Sequence, residues 1–272
     1  MNDSKAKVCL TIAGLDPSGG AGIIADIKTF SAFGCFAAAA VTSITFQNTM
    51  GVFGASNQTA KTIEAQIEPI INDYIVDAAK TGMLPTIEII EETARLIRKH
   101  GLKNIVVDPV VRSTSGFDLI DNAALQALIN SMFPLSDLIT PNIPEAERIS
   151  GISIETEDDI KDAVGIMRTM GARNVLIKGG HLPNLEFGRD EEKKARKARD
   201  FLFIGNEIHI FEDDFIDSTA THGTGCTLSS AIAANLALGK SMVEAVRLSK
   251  TFVTNAIRTA PHLGRGNSPI NI

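Results

Sequence analysis

Short runs of β-branched and small apolar residues alternate along the chain with longer stretches whose apolar positions recur every three or four residues. The short runs Val8–Ala13, Ala40–Thr45, Ala78–Thr81, Ile105–Asp108, Leu138–Thr140 and Val175–Lys178 predict strands. The longer stretches predict helices. Ile23, Ile27 and Phe30 share one helical face, as do Ile63, Ile67, Ile70 and Tyr74, then Ile87, Ile90, Ala94 and Ile97, and finally Leu125, Leu128 and Met132. Thr156 with Asp159 predicts a capped start for a helix carrying Ile160, Val164 and Met167, and Gly171 predicts its stop. Phe201–Ile204 and Glu207–Phe211, joined by Gly205-Asn206, alternate like a β-hairpin. Helices over Thr227–Leu238 and Met242–Thr259, separated by Gly239, close the chain. Strands alternating with helices predict an α/β fold with a mostly parallel sheet. No internal repeat or linker interrupts the rhythm, so a single domain over residues 1–272 is expected.

Composition sharpens this by exclusion. A chain of 272 residues with 44% hydrophobic content can bury a large core. A net charge of −6 and the lack of a basic stripe argue against a nucleic-acid surface. The three cysteines, Cys9, Cys35 and Cys226, are odd in number and lack metal-ligand spacing, which suits a reducing compartment. The apolar run from Val8 to Gly14 is too short for a secretory signal, and no window reaches membrane-spanning length, so a cytoplasmic location without membrane contact is expected. The segment from Arg189 to Asp200 is too densely charged to be buried. It predicts an exposed helix or loop, with a basic flap over a nucleotide as the functional alternative.

The polar residues carry the chemistry, because each conspicuous cluster follows a predicted strand. Gly14 and Asp16 follow the first, Gln47-Asn48 the second, Gly82-Met83 the third, Asp108-Pro109 the fourth, Asn142-Ile143-Pro144-Glu145 the fifth and Lys178-Gly179-Gly180 the sixth. Ligands of open parallel sheets bind at that end of the strands. Thr221-His222-Gly223-Thr224-Gly225-Cys226-Thr227 then runs into a small-residue helix, so backbone N–H groups and the helix dipole converge on an anion hole. The same field is expected to favour thiolate over thiol at Cys226.

This set suits phosphoryl transfer, which depends on positioning and charge neutralisation. Asp108, Asn142 and Glu145 offer oxygens to hydrated Mg²⁺, and Lys178 a cation to phosphates. Gly223, Thr224, Gly225 and Cys226 offer donors for developing charge, and Cys226 or Asp108 a base. Asp108, Asn142, Lys178 and Thr224 are accordingly placed at the nucleotide, expected to be ATP. No Gly-x-x-x-x-Gly-Lys-Ser/Thr is present, which excludes the usual P-loop. Gly20-Ala21-Gly22-Ile23-Ile24-Ala25 fits a dinucleotide fingerprint, but the region from Val41 to Asn48 lacks the acid that would hold a ribose. A dehydrogenase is therefore disfavoured. A non-catalytic ligand-binding protein of the same fold is the other rival, and ATP turnover separates it from a kinase.

Thr11 to Gly22 followed by Ala25 to Phe30 resembles the opening of the hydroxymethylpyrimidine/phosphomethylpyrimidine kinases, the thiamin-pathway branch of the ribokinase-like superfamily. The resemblance continues in order through Phe46–Thr49, Lys80–Leu84, Asp108–Val110, Thr140–Glu147, Lys178–His181 and Thr221–Thr227. It implies a ribokinase-like αβα three-layer sandwich and a homodimer. It also implies ATP- and Mg²⁺-dependent phosphorylation of 4-amino-5-hydroxymethyl-2-methylpyrimidine and then of its monophosphate. On the matching positions Asp26 and Gln47 would bond the aminopyrimidine, and Gly14, Ala21, Met83 and Val110 would line its pocket. Cys226 would take the hydroxymethyl proton, while Asn142 and Glu145 form the family's magnesium and phosphate motif. A pyridoxine/pyridoxal kinase is the alternative within the superfamily. The chain departs from the family after Val110, where Thr114 stands at a usual lysine and Arg112 is the nearest cation. Phe46 also replaces a smaller residue, and the segment around Arg189 is longer than usual.

Overall fold

The computed structural model describes residues 6–113, 116–179 and 197–272. The first part of the chain forms β1 (Val8–Leu15), α1 (Gly22–Ala32), β2 (Phe36–Asn48), β3 (Gly51–Asn57), α2 (Ala60–Asp73), β4 (Ala78–Thr81) and α3 (Ile87–His100). Then come β5 (Ile105–Val107), α4 (Asn122–Met132), β6 (Leu138–Ile139), α5 (Ile143–Ser150), α6 (Glu157–Thr169) and β7 (Asn174–Lys178). The described chain ends with the hairpin β8 (Lys197–Ile204) and β9 (Glu207–Asp214), followed by α7 (Thr224–Ala237) and α8 (Met242–Arg258).

The strands form one sheet in the order β3-β2-β1-β4-β5-β6-β7-β8-β9. From β2 to β7 every neighbour is parallel, while β3, β8 and β9 add antiparallel edges. The chain steps from β1 to β2 on one side and then returns to lay β4 on the other. That reversal opens a crevice beyond the carboxyl ends of β1 and β4, the usual ligand position in open α/β sheets.

Period-two alternation sends neighbouring strand residues to opposite layers. Leu10, Ile12, Ile105, Val107, Val175 and Ile177 pack in one core with Ile63, Ile67, Ile90, Leu128 and Val164 from α2, α3, α4 and α6. Cys9, Val106, Leu138, Leu176 and Leu202 face the other way, against Phe30 of α1, Ile232 of α7 and Val246 of α8. The result is the expected three-layer α/β sandwich. α7 is buried nearly all round, and its run of Ser229, Ser230, Ala231, Ala233 and Ala234 keeps the helix slim enough to sit closely on the sheet.

Each predicted strand forms, although β5 and β6 stop one residue short of the expected Asp108 and Thr140, and the Thr156–Asp159 capping box closes as expected. Two elements escape the pattern. β2 runs on to Asn48 and folds back through Thr49-Met50 into β3, so Gln47 and Asn48 lie inside a strand beside a bulge between Phe46 and Gln47. α5 begins at Ile143, capped by Asn142 and with proline in its first turn. Among the described residues no helix is long and apolar enough to cross a membrane. Thr114, Gly180, His181 and residues 189–196 of the charged segment lie outside the described residues, while its end, Lys197 to Asp200, departs from the expected exposed helix or loop by opening β8, where Asp200 is buried because Lys250 neutralises it.

Candidate active site

Among the described residues six of the eight α-helices start with a side-chain cap, supplied by Thr59, Thr86, Asp121, Asn142, Thr156 and Ser241. The two exceptions are α1, which starts after Ala21, and α7, which starts after Gly223. An uncapped start leaves N–H donors free for something else. At α7 the Gly225 and Cys226 N–H groups have no partner among the described residues, whereas Thr224 N–H turns back to the Thr221 carbonyl at 3.3 Å. The two starts meet. Gly223 sits at φ +88° with its Cα so close to the Gly20 carbonyl that a Cβ would collide with it, and Gly22, at φ +55°, presses in the same way on the Gly14 carbonyl.

Asp16 fixes this junction from within. Its Oδ1 accepts from Ser18 N at 2.8 Å and Ser18 Oγ at 2.7 Å, and its Oδ2 accepts from Gly20 N at 3.2 Å, Ala21 N at 2.9 Å and His222 Nε2 at 2.7 Å. Burial works to raise the carboxyl pKa, but the bonds from His222 and Ser18 outweigh it and hold the group at about 2.

Beneath the α7 start lies a charge cluster from β5, α5 and β7. Lys178 Nζ donates to Asp108 Oδ1 at 2.9 Å and stands 4.0 Å from Glu145 Oε2. Thr140 Oγ1 lies 3.3 Å from Asp108 Oδ1 and 2.8 Å from Ser229 Oγ, which ties the cluster to α7. A Cβ on Gly225 would lie 3.2 Å from Lys178 Nζ and 3.8 Å from Asp108 Oδ2, so the unpartnered N–H groups and the lysine address the same space. Burial pushes the Glu145 carboxyl upward against the pull of Lys178. Burial also opposes the Lys178 charge, but Asp108 and Glu145 outweigh it and raise that pKa.

Glu145 Oε2 accepts from Asn142 N at 2.9 Å and Oε1 from Val111 N at 3.3 Å, while Asn142 Oδ1 accepts from Glu145 N at 2.9 Å. Asn142 Oδ1 is thus engaged as a helix cap. Among the described residues no three His, Cys, Asp or Glu side chains gather into a metal cage. Two nearly buried carboxylates beside a lysine fit a hydrated Mg²⁺ shared with phosphate oxygens, which needs only one or two protein carboxylates.

Cys226 stands at the same helix start and accepts a hydrogen bond from the Gly22 backbone. The residue is partly exposed, but its sulfur is enclosed. Burial and the negative charges of Asp26 and Asp108 prevail over Lys80 and push the thiol up to about 11. The expected thiolate is therefore corrected: without ligands Cys226 is a thiol at neutral pH, because enclosure and two carboxylates outweigh Lys80 and the Gly22 hydrogen bond.

Asp26 also differs from expectation. It is fully buried, and both oxygens bond Lys80 Nζ at 2.9 Å while Thr11 Oγ1 donates to Oδ2 and Ser230 Oγ to Oδ1, each at 2.6 Å. Four hydrogen bonds from three donor groups fill the lone-pair sites of a carboxylate, leaving none for a pyrimidine. Asp26 instead ties α1, α7, β1 and β4 together. Its partner Lys80, fully buried and held charged against the cost of burial by Asp26, was not among the expected site residues. Its only sequence signal was a lysine inside a short buried strand.

The remaining expected residues fall near the carboxyl ends of β1, β2, β4 and β5 or directly before α1. Gly14 faces Met83, whose Sδ would lie 3.1 Å from an added Cβ, and Met83 is held by Thr42 Oγ1 donating to its carbonyl at 2.6 Å. Ala21 is the residue before α1. Val110 has φ +35°, a strained setting for a β-branched residue. The half-buried Gln47 side chain has no hydrogen-bond partner among the described residues. Arg112 is not a spare cation, because it forks onto Asp118 at 2.8 and 3.3 Å.

Comparison with known proteins gives this geometry a context. The family model described as phosphomethylpyrimidine kinase matches residues 16–271. A hydroxymethylpyrimidine/phosphomethylpyrimidine kinase of Staphylococcus aureus is 39% identical over 98% of this chain and 94% of its own. The crystal structure of phosphomethylpyrimidine kinase from Clostridium difficile 630 superposes with a TM-score of 0.78 at 43% identity, covering 92% of this chain and 99% of that one. An ADP complex of Bacillus subtilis pyridoxal kinase superposes at 0.86 with 38% identity, covering 98% and 97%.

Proposed function

The chain belongs to the phosphomethylpyrimidine kinase family, and we propose that it transfers the γ-phosphoryl group of ATP to the hydroxymethyl oxygen of 4-amino-5-hydroxymethyl-2-methylpyrimidine and then to the resulting monophosphate. The observation that carries this reading is the uncapped α7 start, with unpartnered N–H groups at Gly225 and Cys226 and with Gly225 set against Lys178 and Asp108 at the carboxyl ends of β7 and β5. Donors fixed before the reaction stabilise the charge that develops on a transferring phosphoryl group.

In this reading Lys178, Asn142 and Thr224 bind the nucleotide phosphates. Asp108 and Glu145 would hold Mg²⁺ through water, and the ion would supply charge neutralisation at the phosphates. The Gly223–Cys226 backbone receives the transferring oxygens. The new bond joins the hydroxymethyl oxygen to phosphorus as the bridge to ADP breaks, and the hydroxymethyl proton passes to the base. Cys226 takes this role as its thiolate, which needs positive charge beside the sulfur to offset the burial that raises its pKa. Gln47 presents a donor and an acceptor to the adjacent amino group and ring nitrogen, while Gly14, Ala21, Met83 and Val110 bound the ring. Asp26 acts from behind the pocket wall.

The proposal extends to one domain over residues 1–272, a cytoplasmic location and a homodimer. Exposed Ile44, Phe46 and Phe53 on the β2–β3 hairpin support the dimer, which sedimentation tests. An ATP-dependent assay offering the hydroxymethylpyrimidine, its monophosphate and pyridoxal in parallel tests the substrate. Turnover of both pyrimidines is expected, and turnover of pyridoxal alone would reverse the assignment.

A further inference from the structure

The chain's last described segment reaches two walls of the site that share no other covalent neighbourhood. Thr49, at the tip of the β2–β3 hairpin and two residues beyond Gln47, accepts at Oγ1 from Arg265 N at 3.2 Å and Gly266 N at 3.4 Å, and its carbonyl accepts from Asn267 N at 2.8 Å. The fit is close. A Cβ on Gly264 would strike the Thr49 side chain, and one on Gly266 would strike the Thr49 carbonyl. Residues 268–270 then clasp His222 on both sides, with His222 N donating to the Ser268 carbonyl at 3.2 Å and Ile270 N to the His222 carbonyl at 3.4 Å. Asn271 N anchors the far end on the Ala256 carbonyl of α8 at 3.0 Å, and Ser268 and Ile270 are buried.

His222 directly precedes Gly223 and holds Asp16, which in turn positions Gly20 and Ala21. The strap also presses on that loop, since a Cβ on Gly20 would lie 3.0 Å from both His222 Nε2 and Pro269 Cβ. One run of backbone thus bonds the hairpin that carries Gln47 at one end and the loop that leads to Cys226 at the other.

We propose that Thr49 is a positioning residue, setting through the strap of residues 263–271 the spacing between the pyrimidine-recognition hairpin and the phosphoryl-receiving start of α7. The proposal rests on the functional reading above for what the two walls hold, but the mechanical coupling does not depend on it. Reacting groups must be placed to within about an ångström, and a displacement of that size costs up to about 10²-fold in rate. Thr49 touches no reacting atom. Its substitution is therefore expected to act more on the acceptor substrate than on ATP, because two of the three expected phosphate ligands, Lys178 at the end of β7 and Asn142 capping α5, lie away from the strap and only Thr224 lies at the wall it holds.

Thr49→Val keeps the shape of the side chain and removes the acceptor for two N–H groups, whereas Thr49→Ser retains it. Thr49→Val is expected to lower kcat/KM for the pyrimidine about tenfold with a smaller change in the KM for ATP than in that for the pyrimidine, and Thr49→Ser to stay within about twofold of the parent. Hydrogen exchange needs no substrate. In Thr49→Val it is expected to speed up at residues 222–226 as well as at 263–267, and Gly266→Ala, which disturbs the same contact from the strap side, is expected to give the same pattern. Faster exchange confined to residues 263–267 in either variant, or equal KM changes for ATP and pyrimidine, would overturn the coupling. A parent enzyme inactive on the pyrimidine would overturn the functional reading instead, with exchange still deciding whether the strap couples the two walls.

Discussion

At the scale of single residues, function depends on how each group is enclosed. Cys226 was legible as a candidate base from its place after Gly-Thr-Gly, but its protonation state was not, because that depends on Asp26 and Asp108 arriving from α1 and the end of β5. Its raised pKa gives a signed expectation: alkylation of Cys226 by iodoacetamide should be slow at neutral pH and accelerate up to about pH 11 in the free enzyme. A midpoint below pH 8 would restore the simple helix-end picture. Cys226→Ala should lower kcat by about 10² or more with little change in nucleotide binding, the usual worth of a positioned base. Near-parental turnover would remove the thiol from the mechanism. Gln47→Leu tests recognition rather than chemistry. An amide with no protein partner is free for a ligand, so the loss is expected to be about 1–3 kcal/mol in kcat/KM for the pyrimidine and smaller for pyridoxal, which lacks the adjacent amino and ring-nitrogen pair. Equal losses on both substrates would assign Gln47 to the hairpin alone.

At the scale of elements, apolar periodicity carried most of the fold and chemistry in the loops carried the rest. Strands buried on both faces, such as Ile105–Val107, read clearly because nothing competes with hydrophobic burial there. The β2–β3 hairpin was hidden for the opposite reason. Its outer face exposes Ile44, Phe46 and Phe53, and its turn, Thr49-Met50, lacks the Asn-Gly or Asp-Gly signal of a tight reversal, since the strap supplies the bonds that hold it. The uncapped starts of α1 and α7 were legible in principle, as Ala21 and Gly223 stand where six other helices place Ser, Thr, Asp or Asn. Asp26 and Lys80 were not, because a buried ion pair between α1 and β4 leaves no periodic trace. Breaking such a pair strands a charge, so Asp26→Asn is expected to cost about 3–5 kcal/mol of stability in denaturant melts. If Asp26 were instead a solvated substrate ligand, the variant would keep parental stability and lose only affinity.

At the scale of the whole molecule, one sheet order explains why groups from β1, β4, β5, β7 and two helix starts converge, and why loops distant in sequence must be locked together there. The lock has an electrostatic core in Asp16, which joins the loop after β1 to His222 before α7. Its carboxyl is held at about 2 against an ordinary 3.8, chiefly by the His222 and Ser18 bonds overcoming the upward push of burial. A depressed carboxylate pKa contributes stability that is fully present above the unfolded value and is lost as pH falls through the folded one. The contribution is about 2 kcal/mol at neutral pH, from a shift of nearly two units at about 1.4 kcal/mol each. Asp16→Asn should therefore be less stable than the parent by about that amount from pH 4 upward, and the gap should narrow between pH 4 and pH 2, where the parent carboxylate also takes up its proton. Urea unfolding of both proteins across that range provides the measurement. A gap that stays constant down to pH 2 would mean that Asp16 holds the two loops by shape alone, and that the charge on its carboxylate contributes nothing to closing the site.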